Sequence, residues 1–327
     1  LADATTERGK LARTRLIASS GLSAEGVDLA LTSCLEIAPI EAEIEALVRS
    51  TPTAQVAHVL LSANVFVAAH RAIAIGVAAS ETVCVRASRR EPEMAELLLA
   101  GAPGAFQLVS ELSPHSGDRL WAYGSDATLE EVAVTLPPGV AFHGHGAGFG
   151  VGVIDGTLGG SELAAVLPGL ARDIALFDQR GCLSPRVLLV NGGNEYGREV
   201  ARALATELEH FERRVPRGRL DSEELAAVTA YRDTASFSGE LFAAGSGFVS
   251  VSDQWLMPPI GRNLHVLLTS DFARSLSAVR PLITSCAFAG STSQRNGLRL
   301  ALRGARLGDF GRMQSPPFDG PVDLRDH

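Results

Sequence analysis

The chain has 327 residues and a formal net charge of −8, which suits two domains and argues against a nucleic-acid partner. Lys10 is its only lysine, which excludes a phosphate loop of the G-x-x-x-x-G-K type and speaks against a Schiff-base lysine. Four widely spaced cysteines (Cys34, Cys84, Cys182, Cys286) without a C-x-x-C pair argue against a zinc site or a disulfide frame and suit reduced, cytoplasmic thiols. No apolar stretch reaches the length of a membrane span, and residues 1–16 are too polar for a secretory signal.

In chain order, residues 1–50 read as short helices, with Ser23 placed to cap the one that reaches Cys34. Alternation then begins. The pattern predicts a strand over 56–61, a helix over 68–79, a strand over 82–86 and a helix over 93–100. A strand over 120–123 ends at Gly124-Ser125. Repeated strand–helix order predicts a mostly parallel sheet covered on both faces, with ligands beyond the carboxyl ends of its strands. Glycine then takes every second position from Gly144 to Gly152. Read as one strand, 142–152 would have a bare face open to close approach by another backbone or a flat ligand.

A second unit follows. Helices are predicted over 161–177 and 196–213, with a strand over 186–190 between them. Asp221 and Glu224 form a capping-box pattern for the next helix. Strands near 248–251 and 264–268, a helix from Asp271, a strand over 282–285 and a helix over 293–302 complete the regular elements. The tail is loop-like. The predicted division is 1–153 for N-terminal helices and a cofactor-binding domain, 154–290 for a catalytic domain, and 291–327 for a C-terminal segment.

The strongest chemical candidate is Cys182, in F-D-Q-R-G-C-L-S-P at 177–185. It lies between a helix and a buried strand, beside Gly181, Ser184 and Pro185, a poor setting for plain core packing. Thiolates attack thioesters and aldehydes, so the loop suggests covalent chemistry. Cys34, Cys84 and Cys286 sit in apolar or helical runs and read as small core residues. Asp178 and Gln179 read as shaping the loop. Asn64 follows the first strand, where a side-chain amide can donate to an oxyanion or simply make a turn. Arg86 and Ser88 end the next strand, in V-R-A-S, and suit a ribose or phosphate; Gly124-Ser125 can open a helix toward phosphate. No G-x-G-x-x-G fingerprint occurs in strand–helix context. His143 and His145 form H-G-H, whose spacing lacks a third metal ligand, so no metal site is expected and packing or a general-acid role remains.

These elements, in this order, resemble the aldehyde dehydrogenase superfamily and, within it, the LuxC-type acyl-CoA reductases. F-D-Q-x-G-C-x-S-P is characteristic of that branch, and M-Q-S-P-P-F-D at 313–319 is similar to its tail. The resemblance runs from about residue 55 to the end. It implies two Rossmann-like parallel-sheet domains with a cleft between them, and NADPH-dependent reduction of an acyl-CoA or acyl-carrier thioester to an aldehyde, with NADH as the other possible donor. By it, Cys182 is the acylated nucleophile, Asn64 and the Cys182 backbone N–H form the oxyanion site, and Arg86, Ser88, Gly124 and Ser125 hold the cofactor. It also implies a homodimer or higher homo-oligomer. Two departures matter. Hydrolytic relatives carry a deacylating glutamate where this chain has F-H-G-H-G, with His143 in that place. The glutamate that grips the nicotinamide ribose is not evident; residues 258–265 carry Arg262 instead. Oxidation of an aldehyde to acid or acyl-CoA, and an inert cofactor-binding relative, are the alternatives.

Overall fold

The computed structural model describes residues 1–325. The first unit comprises Leu1–Ala147 and the tail from Pro317. It opens with α1 (Glu7–Ser20), α2 (Ala24–Ser33) and α3 (Glu41–Ser50). Ser23 caps α2 by accepting from the Gly26 N–H. The alternating part follows: β1 (Ala57–Leu60), α4 (Ala68–Ala79), β2 (Val83–Arg86), α5 (Glu93–Gly101), β3 (Gln107–Leu108), β4 (Arg119–Tyr123), α6 (Asp126–Thr135) and β5 (Ala141–His145). The strands form one parallel sheet in the order β3-β2-β1-β4-β5. Chain order reverses between β1 and β4, and such a switch point leaves a crevice beyond the carboxyl ends of those strands.

The second unit runs from Gly148 to Pro316. It contains β6 (Phe149–Ile154), α7 (Gly160–Ala175), β7 (Pro185–Val190), α8 (Asn194–Arg214), α9 (Ser222–Ser238), β8 (Glu240–Ala244), β9 (Gly247–Ser252), β10 (Leu264–Leu268), α10 (Phe272–Ser277), β11 (Ile283–Ala289), α11 (Thr292–Ala301) and β12 (Arg306–Gly308). Its sheet order is β12-β11-β6-β7-β10-β9-β8, parallel except for the β8–β9 hairpin. Alternation along β7 explains why both faces are covered. Leu188 and Val190 join the core under α7 and α8, while Val187 and Leu189 join the core that includes Phe272 and Leu276 of α10 and Leu298 of α11. Each such side chain contributes about 1.5–3 kcal/mol when fully buried. Asp221 and Glu224 form the expected reciprocal cap of α9. The two parallel-sheet domains expected from the strand–helix order are therefore present.

The glycine run corrects one expectation. Residues 142–152 are not one strand. β5 closes the first sheet and β6 lies inside the second, between β11 and β7, with residues 146–148 between β5 and β6. His143 and His145 pair in register with Trp121 and Tyr123 on β4 and stack on them, at ring-centroid distances of 5.2 and 4.7 Å. No described helix is long and apolar enough to cross a membrane.

Candidate active site

The Cys182 loop begins where α7 ends. Phe177, Asp178 and Gln179 follow with φ of 55°, 49° and 68°. A left-handed backbone costs a side-chain-bearing residue about 1–2 kcal/mol. Among the described residues only one other non-glycine residue has positive φ, Arg262 at 69°. All four belong to one cluster. Strain of this kind persists only where the surroundings fix the backbone.

The surroundings do so on three sides. Asp178 is buried and accepts from Arg262 Nε at 3.0 Å and from the Gly218 N–H at 2.9 Å, while its carbonyl accepts from the Gly261 N–H. Arg262, also buried, donates further to the carbonyls of Val215 and Pro216. Gln179 donates to the carbonyls of Pro185 and Asn263 and accepts from the Asn263 N–H at 2.9 Å. Beyond the cysteine, Thr284 donates to the Cys182 carbonyl and Ser285 to the Leu183 carbonyl. The Gly150 N–H donates to the Ser184 carbonyl at 2.9 Å. Ser184 is wholly buried, and its hydroxyl accepts from Gln314 Nε2 at 3.1 Å.

That last bond joins two sequence motifs, C-L-S-P and M-Q-S-P-P. Asp173, at the end of α7, completes the join: its carboxylate accepts from the Gly311 and Met313 N–H groups. Burial pushes the Asp173 carboxyl up to about 7 against the pull of those donors. The half-buried Cys182 is thus presented by a loop whose backbone is held at nearly every residue.

The glycines of β6 serve this loop. A Cβ on Gly150 would sit 2.4 Å from the Leu183 carbonyl oxygen, and one on Gly152 2.7 Å from Leu188 Cδ1. Close packing of protein, rather than of a flat ligand, accounts for both positions.

The other sequence candidates lie in the first unit. Asn64 is in the loop after β1, Arg86 is the last residue of β2, Ser88 follows it, and Gly124-Ser125 follow β4. All five therefore share the carboxyl edge of the first sheet, around its switch point. Ser125 caps α6 by accepting from the Thr128 N–H. Ser88 Oγ accepts from the Arg90 N–H, and Arg90 Nη2 donates to Asn64 Oδ1 at 3.4 Å. Since arginine only donates, this contact orients the Asn64 amide with its NH₂ turned away. His143 lies within β5 and its Nε2 accepts from Arg119 Nη1 at 3.1 Å. Among the described residues no three His, Cys, Asp or Glu side chains converge as metal ligands.

Several contributors escaped the sequence reading. Arg90 had no motif around it. Thr284 and Ser285 sit in an ordinary buried strand. Arg262 was noted only as standing where relatives carry a glutamate; its pairing with Asp178 spans 84 residues. Gln314 carried a signal, since it belongs to a motif with no other visible purpose.

Known proteins show the same fold. An NAD-dependent benzaldehyde dehydrogenase from Corynebacterium glutamicum superposes with a TM-score of 0.67 at 13% identity, over 96% of this chain and 79% of that one. A lactaldehyde dehydrogenase gives 0.70 at 13% identity, over 95% and 76%. An aldehyde dehydrogenase from Pseudomonas syringae, complexed with NAD+ and octanal, gives 0.65 at 15% identity, over 92% and 73%. No curated protein matches by sequence. The family model described as acyl-CoA reductase (LuxC) matches residues 103–326, which include the nucleophile loop, the strands that clamp it and the tail that bonds to it. The chain therefore belongs to the acyl-CoA reductase (LuxC) family and is an oxidoreductase of the aldehyde and acyl-CoA level.

Proposed function

We propose that this protein reduces an acyl thioester to the aldehyde through an acyl group carried on Cys182, with NADPH as the reductant. The observation that carries the reading is the nucleophile loop. Three consecutive left-handed residues and a buried Asp178–Arg262 pair are spent on presenting one thiol. Such investment suits a group that must meet a carbonyl carbon in one geometry.

The carboxyl edge of the first sheet fits a dinucleotide. Its strand order is that of a nucleotide-binding half, and Ser125 opens α6 toward the switch point. Arg86 and Ser88 would hold the adenosine ribose, Arg86 supplying the cation that a 2′-phosphate needs. When bound, the reduced nicotinamide supplies the hydride.

In this reading Cys182 Sγ forms a bond to the thioester carbon. The oxyanion that develops takes hydrogen bonds from Asn64 Nδ2 and the Cys182 N–H, each donor supplying about 3–4 kcal/mol of transition-state stabilisation. The carrier thiolate leaves with the electron pair of the old C–S bond. After reduction, collapse of the thiohemiacetal returns an electron pair to Cys182 Sγ and frees the aldehyde. The stretch around His143 offers no carboxylate to activate water, which keeps the acyl group for reduction.

The test follows NADPH loss and aldehyde formation over a panel of acyl-CoA thioesters. The wild-type protein should gain one acyl mass on Cys182 when the reductant is withheld. Cys182→Ala should show neither adduct nor aldehyde. Full activity in that variant would sink the mechanism. Oxidation of added aldehyde in preference to thioester reduction would move the reaction to the opposite direction.

A further inference from the structure

Arg186 is the second residue of β7, four positions after Cys182. Its Nη1 is buried and has no hydrogen-bond partner. Among the described residues no carboxylate pairs with it. The fully buried arginines Arg71 and Arg262 are different, since each holds a carboxylate. An unpaired cation out of water is costly, and burial pulls the Arg186 guanidinium down to about 10.

Two features of the backbone show that the placement is built. Gly150 pairs with Pro185 but Val151 pairs with Val187, so Arg186 is the extra residue of a bulge between β6 and β7. Bulges re-aim a side chain and recur beside active sites. The β6–α7–β7 crossover also brings the last turn of α7 to the amino end of β7. Arg172 lies in that turn, and its Nε is likewise buried without a partner. The topology therefore places Arg172, which also feels the adjacent Asp173 carboxyl, at the same end of the sheet as the unpaired Arg186 and the Cys182 loop.

We propose that Arg186, with Arg172 at the same end of the sheet, forms a subsite for an oxyanion carried by the thioester substrate. This rests on the thioester reading of Cys182. The oxyanion is either a phosphate of the leaving carrier or a carboxylate at the far end of the acyl chain. Both present oxygen acceptors that a guanidinium takes in bidentate fashion. Binding supplies the partner that the folded chain withholds from Arg186.

The experiment compares the wild type with Arg186→Gln on four thioesters: butanoyl and succinyl groups, each on CoA and on pantetheine. A phosphate subsite raises KM of the variant about tenfold or more for both CoA thioesters relative to their pantetheine counterparts. A carboxylate subsite raises it by that factor for both succinyl thioesters relative to the butanoyl ones. An equal shift on all four, or none, overturns the subsite. Thermal melting with and without inorganic phosphate gives a readout independent of turnover. Arg186→Met should melt higher than the wild type without phosphate, because an unpaired buried charge has been removed, and phosphate should raise the melting temperature of the wild type alone. A lower melting temperature for Arg186→Met would mark a structural arginine and overturn the proposal. If no thioester is turned over while the phosphate effect persists in the wild type only, the anion subsite stands and the thioester reading falls.

Discussion

At the scale of single residues, the decisive balance is between strain and clamp in the Cys182 loop. Left-handed conformations at Phe177, Asp178 and Gln179 together cost roughly 3–6 kcal/mol. Local sequence gives little relief, because none of the three is glycine and only Asp178 is of a type that enters this region more readily. The stabilisation comes from elsewhere in the chain, through Arg262 on Asp178 and Asn263 on Gln179. Removing one partner of a buried pair leaves the other uncompensated and typically costs about 3–5 kcal/mol. Asp178→Ala should therefore lower the unfolding free energy by about that amount in urea titrations, and lower kcat more than it raises KM. The double variant Asp178→Ala with Arg262→Met should recover much of the stability, since the stranded charge is gone. A loss below about 1 kcal/mol in the single variant would show that the pair does not hold the loop.

At the scale of elements, β6 shows why a regular pattern can mislead. Glycine at every second position continues from β5 into β6, because the gap from His145 to Phe149 preserves parity. Period alone reports which face a residue takes; it does not report which sheet the strand joins. Gly144 lies in the first sheet and Gly150 and Gly152 in the second, for reasons set by different neighbours. β8 was missed for a related cause. Its segment E-L-F-A-A has no β-branched residue, and it forms only because a tight turn at Gly245, with φ of 64°, returns it against β9. By contrast, the caps at Ser23 and Asp221 were legible, since a cap depends on residues three apart. Gly150 yields a direct prediction. Gly150→Ala puts a Cβ 2.4 Å from the Leu183 oxygen and 2.7 Å from Ser285 Oγ, so the cysteine loop must move. A displacement near 1 Å lowers kcat by about a hundredfold. Dinucleotide affinity, followed by fluorescence titration, should stay within about twofold, because Gly150 belongs to the second sheet. Gly297→Ala, whose Cβ would meet nothing within 4 Å, is the control. Equal kcat in the two variants would show that β6 does not set the loop.

At the scale of the whole molecule, strand–helix order was enough to predict two parallel-sheet domains, while the contacts that finish them were not legible. Asp178 to Arg262 spans 84 residues and Gln314 to Ser184 spans 130, and no local pattern announces either pairing. The tail is the clearest case. It reads as loop in the sequence and is loop in the structure, yet side-chain contacts anchor it. Its residues from Pro317 onward join the first unit, where the wholly buried Arg71 of α4 donates to the carbonyls of Pro317 and Gly320 at 2.8 and 3.1 Å. The guanidinium lies 5.1 Å from the centre of the Phe318 ring and also pairs with Glu36. Asp323 and Arg325 pair farther along, and Arg325 reaches the Ala147 carbonyl at 3.0 Å. A segment without ladder bonds stays closed to proteases only while such anchors hold. Arg71→Met keeps an apolar stem of similar length under Phe318 but removes both carbonyl bonds and the ion pair. Limited proteolysis of this variant should release fragments cut within residues 317–325 under conditions where the wild type stays intact. Mass spectrometry of the products reads the cut sites, and Cys182 acylation can be followed in the same samples. Identical cleavage patterns for the two proteins would show that Arg71 is not the anchor. Cleavage confined to the variant's tail would establish that one buried arginine fastens a terminal segment of the first unit that no hydrogen-bonded ladder secures.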